Sequence, residues 1–157
     1  MITAELRFAV EALYADYAAA LDDDELERWP DFFVEDCLYK LIPRENWERN
    51  LPVALMLCES RAMLKDRITA VRSTALYAPR RLRHFITQFR ITEEEHDLLR
   101  VGANYLVLQT LVDDLTRIQN AGQYIDLVAR TAEGWRFKEK ICVFDSVLVP
   151  NSLIYPV

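Results

Sequence analysis

Two histidines, three cysteines and a scatter of tyrosines and carboxylates bound the chemistry this 157-residue chain can perform. An iron site built from two imidazoles and a carboxylate needs two histidines converging on one point. The candidates are His84, in a stretch that reads as strand, and His96, at the tip of the next turn, an arrangement that keeps them apart. A Rieske cluster needs two cysteines and two histidines in paired short spacings, and none of Cys37, Cys58 and Cys142 has a histidine nearby. The expectation is that this chain carries no metal and no cofactor. Gly102, Gly122 and Gly134 are isolated, so neither a phosphate-cradling loop nor a nucleophile elbow is present.

Acid–base chemistry in a pocket remains open. Tyr14, Tyr17 and Asp36 from the first part of the chain, with His84, Asp126 and Asp145 from later strands, could converge for dehydration or isomerisation, burial making a carboxylate or imidazole reactive. In that reading Asp36 and His84 are the working pair. In the plainer alternative the tyrosines fill the core, Asp36 caps a turn, and Asp126 and Asp145 lie outside or pair with arginines. Arg80, Arg81 and Arg83 then form a solvated or partner-facing patch.

The elements that would position these groups follow from periodicity. Leu6, Val10, Leu13, Tyr14, Tyr17 and Leu21 recur at three and four, which predicts an amphipathic helix from Thr3 to Leu21. Asp22, Asp23 and Asp24 suit the N-terminus of a second, short helix through Trp29 that turns Trp29, Phe32 and Phe33 inward. Cys37 to Ile42 alternates as a strand stopped by Pro43; residues 44–50 read as a polar loop and 51–58 as a buried strand or helix. Ser60 caps a third helix to Arg72, with Met63, Leu64, Ile68 and Val71 as its apolar stripe. Beyond it, residues 83–91, 98–112, 118–130 and 135–149 are β-branched and aromatic, separated by the polar turns TEEEHD, DDLT and TAEG. Helices first and an antiparallel meander second make an α+β plan with the sheet wrapped around the helices.

Length fits one domain, residues 1–157, with a core able to fold without disulfides or metals. The net charge of −6 lacks the basic stripe that nucleic acid requires. Charge interrupts every apolar run, and the opening MITAELRF has no signal-peptide layout, which points to no membrane contact and to the cytoplasm. The three cysteines, odd in number and far apart, fit reduced and buried thiols.

The early helix followed by WPDFFVEDCLYKL, then MLKDRITAVR, YAPRRLRHFI and the closing GWRFKEKICVFDS, in this order and spacing, resemble the β subunits of aromatic-ring-hydroxylating dioxygenases. Among them, the small subunits serving aromatic carboxylates such as salicylate or terephthalate are the most similar. The resemblance spans nearly the whole chain. It implies a cone-shaped fold like that of nuclear transport factor 2, with no metal or cofactor here. It further implies a large α subunit bearing a Rieske 2Fe–2S cluster and mononuclear iron, and a heterohexamer in which three copies of this chain form a trimer. The superfamily also holds dehydratases and isomerases, so the fold alone leaves function open.

A final expectation comes from counting faces. Tyr105 to Leu108 and Ile141 to Phe144 are apolar on both faces, and after Arg72 no further helix is available to cover the outer one. Leu106, Leu108, Cys142 and Phe144, with the uncharged tail at Leu153, Ile154 and Tyr155, are therefore expected at subunit interfaces.

Overall fold

The computed structural model describes residues 1–95, 97–146, 148 and 153–157; His96 lies outside them, as do five of the residues leading to the tail. Helix α1 covers Ala4–Asp22, and Thr3 caps it by accepting from the Leu6 N–H at 3.2 Å. A 3₁₀ helix at Leu26–Phe32 follows, then β1 (Phe33–Pro43), α2 (Arg44–Glu48), β2 (Met56–Cys58) and α3 (Arg61–Ser73). Strands β3 (Arg80–Glu95), β4 (Leu98–Leu111), β5 (Arg117–Thr131) and β6 (Gly134–Phe144) complete the chain. Ser60 caps α3 as expected, bonding the Met63 N–H at 3.2 Å, although Met63 itself stands exposed. The α+β plan holds.

The six strands form one sheet in the order β2-β1-β6-β5-β4-β3. The meander runs antiparallel from β3 to β6, but β1 pairs with β6 in parallel, so the sheet is mixed rather than wholly antiparallel. Such a pairing joins residues about a hundred positions apart and leaves no local turn signal. The sheet curls around α1, the 3₁₀ helix and α3, and the interior is filled by aromatic rings meeting edge to face. Trp29 stands 5.0 Å from Tyr39, Tyr14 5.1 Å from Phe137, and Tyr17 5.4 Å from Phe137.

Several local expectations are corrected. The acidic run ends α1 rather than opening the next helix: Asp22 is the last helical residue, Asp23 is the C-cap, and Asp24 takes φ 60°. Of residues 44–50, read as a loop, Arg44–Glu48 is a short helix, and of 51–58 only Met56–Cys58 is strand. Leu51, Val53, Leu55 and Leu57 are exposed.

The largest correction concerns β6. Between Leu127 and Val128 the β5–β6 register shifts, with Val128 opposite Phe137 but Leu127 opposite Glu139, so Lys138 is an extra residue. The bulge reverses the alternation read from Trp135 onward. Phe137, Lys140, Cys142 and Phe144 consequently lie on the inner side, buried in the core, and Cys142 and Phe144 are not outward-facing. Ile141 and Val143 take the outer side. There they are covered by Ile42, Trp47 of α2 and Ala54, so the chain supplies its own cover at that end of the sheet. The tail also turns inward: Tyr155 and Val157 are buried, and Leu153 and Ile154 pack against the main core. Leu106 and Leu108 do face outward, half-buried.

Candidate functional site

The strongest concentration of polar groups lies inside the cone, where α1, β5 and β6 meet. Tyr14, one turn before Tyr17 on the buried stripe of α1, donates its hydroxyl to Asp126 Oδ2 at 2.5 Å. Lys140 Nζ donates to the same oxygen at 3.0 Å, and the Ile141 N–H reaches Asp126 Oδ1 at 3.1 Å. Both charged side chains are wholly buried. Around the ammonium stand the rings of Tyr124, Phe137, Tyr17 and Tyr14, at 3.4, 4.5, 4.6 and 4.7 Å from their centroids. Burial raises the Asp126 carboxyl above its ordinary range, opposed by the ammonium of Lys140 and by the bonds from Tyr14, Lys140 and Ile141. Three donors on one carboxylate and four rings on one ammonium leave no room for a reactant between them. The arrangement locks α1 to the sheet.

Of the six residues considered for acid–base work, this cluster gathers Tyr14, Tyr17 and Asp126 and omits the rest. Asp36 is exposed on β1. Asp145 is at the surface, paired with Arg44 at 2.5 Å. His84 sits on β3 against the end of α1, where Asp22 accepts from its backbone N–H at 2.9 Å and meets its Nδ1 at 2.6 Å. Its side chain is fully enclosed, and Nε2 has no hydrogen-bond partner among the described residues. The proposed pair of Asp36 and His84 is therefore not assembled.

Lys140 and Asp22 were missed by sequence reasoning. Alternation from Trp135 assigns Lys140 to the wet face, and only the pairing of Val128 with Phe137 reveals the bulge that turns it inward. Asp22 is concealed within three consecutive aspartates. Among the described residues no three histidine, cysteine or carboxylate side chains converge as metal ligands, and one imidazole beside one carboxylate falls short of the two-histidine iron set. Among the same residues no helix is long and apolar enough to cross a membrane.

The family model for the ring hydroxylating beta subunit matches residues 17–151. The chain belongs to that family. It is 35% identical over 150 residues to the anthranilate 1,2-dioxygenase small subunit of Burkholderia cepacia, covering 96% of this chain and 93% of the relative. It is 29% identical over 147 residues to the terephthalate 1,2-dioxygenase terminal oxygenase component subunit beta 1 of Comamonas sp, covering 94% and 96%. A crystal structure described as the β subunit of an aromatic-ring-hydroxylating dioxygenase, from Novosphingobium aromaticivorans DSM 12444, superposes with a TM-score of 0.84 at 40% identity, covering 94% of this chain and 93% of that one. The β-subunit fold of this chain is thus the cone of nuclear transport factor 2 and its relatives, as the sequence resemblance implied.

Proposed function

We propose that this chain is the small, non-catalytic subunit of a Rieske-type oxygenase acting on an aromatic carboxylate in the cytoplasm. In this reading it supports a large subunit that carries the 2Fe–2S cluster and the mononuclear iron. The carrying observation is the family match across residues 17–151, joined to an interior whose buried Lys140–Asp126 pair is sealed by its own partners. The relatives named for anthranilate and terephthalate support a carboxylate substrate. A trimer of this chain within a heterohexamer is the proposed assembly, and the outer face at Leu106 and Leu108 the proposed subunit contact. There Phe85 and Ala121 flank Leu106 and Ile118 pairs with Leu108, while Phe85 and Ile118 stand exposed.

The test is metal and acid-labile sulfide analysis with activity. The purified chain is expected to hold no stoichiometric iron and to hydroxylate no aromatic acid alone, and to be required for full activity of the large subunit. About one iron per chain retained through chelation would overturn the reading.

A further inference from the structure

Beside the Lys140 lock the cone holds a second cluster, which shares Tyr17 and Tyr124 with it through their rings but uses their hydroxyls. Tyr17 from α1, Tyr39 from β1 and Cys142 from β6 converge on the backbone oxygen of Val157, at 2.7, 3.4 and 3.5 Å. Trp29 Nε1 backs the Tyr17 hydroxyl at 3.4 Å. The Tyr124 hydroxyl, on the residue that pairs with Cys142 in the β5–β6 register, is buried without a hydrogen-bond partner among the described residues. Burial pushes the phenols of Tyr17, Tyr39 and Tyr124 well up and the Cys142 thiol up to about 12, so at neutral pH all four are protonated.

A hole lined by neutral O–H and S–H donors and by ring faces suits an acceptor oxygen. The chain fills it with its own backbone. Pro156 brings no N–H to satisfy, and the Val157 N–H goes to the Tyr39 hydroxyl at 3.1 Å. The segment is tied down outside the hole, where the Tyr155 hydroxyl donates to Asp24 Oδ1 at 2.9 Å and its ring meets Tyr77 edge-on at 5.5 Å. With the segment in place, the buried hydroxyl of the neighbouring Tyr124 still has no partner among the described residues, a polar group left for a ligand to satisfy.

We propose that this donor-lined hole is a ligand site occupied in cis by residues 153–157. With that segment displaced, it takes a small planar aromatic carbonyl compound, a ketone or a carboxylate, whose oxygen sits on Tyr17, Tyr39 and Cys142 and whose ring lies among the aromatic faces. The segment and the ligand compete, so the apparent affinity is the intrinsic one scaled by the fraction of chains with the hole open. The inference does not rest on the subunit assignment.

The test is methyl NMR of the intact chain carrying labelled valine, titrated separately with acetophenone and with benzoate. The Val157 methyl signals are expected to move towards random-coil positions as one probe saturates. In Tyr155→Ala, where the segment is untied, that probe is expected to bind about tenfold tighter, and adding Tyr39→Phe to that variant should weaken it again. Which probe saturates tells ketone from carboxylate. Failure of both probes to shift Val157 in the intact chain and in Tyr155→Ala, binding that leaves Val157 in place, or equal affinity in the two chains would overturn the proposal. Should Tyr155→Ala not fold, the titration of the intact chain decides alone.

Discussion

Lys140 and Asp126 are charges with no solvent, stabilised by each other, by Tyr14, by the Ile141 N–H and by the surrounding rings. Removing one partner strands the other, so Lys140→Met is expected to cost about 3–5 kcal/mol in urea denaturation, while Lys140→Met combined with Asp126→Leu recovers most of the loss. The buried phenols carry a pH signature. Burial, with neighbouring acidic groups adding to it, raises Tyr14, Tyr17, Tyr39, Tyr105 and Tyr124 above the value near 10 expected for an unfolded chain. The folded state therefore holds these protons more tightly, and the stability they confer is complete below pH about 10 and falls as pH rises beyond it. In an ultraviolet alkaline titration these phenols should ionise together with the loss of the far-ultraviolet circular dichroism signal; gradual ionisation of a folded chain would contradict the account. Sequence reasoning put the tyrosines in the core as its plainer alternative, and they are there. It could not see the Lys140 lock, because a buried lysine and a surface lysine look alike until the register is known.

The elements show where such reading succeeds and where it stops. The heptad-like stripe of α1, the Ser60 cap of α3 and the turn-bounded strands are local signals, and all three were legible. The parallel pairing of β1 with β6 and the bulge at Lys138 are set by contacts remote in sequence, and both were missed. The bulge alone decides that Cys142 and Phe144 point in, while α2 and its Trp47, hidden in a polar stretch, cover the face that seemed bare. Close approach of β5 to β6 also explains Gly122: a Cβ there would fall 1.9 Å from the Val143 carbonyl oxygen and 2.8 Å from the Phe144 Cα. Both are backbone atoms that cannot step aside. Gly122→Ala is expected to destabilise the chain by about 3 kcal/mol in thermal or urea unfolding, through separation of these strands. A change under 0.5 kcal/mol would show that the strands part at little cost.

At the scale of the whole molecule, the chain belongs to the ring hydroxylating beta subunit family, and the role proposed for it is in assembly. The apolar face carrying Phe85, Leu106, Leu108 and Ile118 is where that role is proposed to act. Leu106→Asp is accordingly expected to leave circular dichroism and unfolding nearly unchanged while abolishing association in analytical ultracentrifugation, whereas an unaltered assembly would move the contact elsewhere. The most direct test of the account is native mass spectrometry of this chain purified under mild conditions from its own source. The account predicts a complex with a larger chain in equal copy number, with all iron and labile sulfide on that larger chain. A chain recovered alone, folded and metal-free, beside a ring hydroxylase that is complete and fully active without it, would contradict the account.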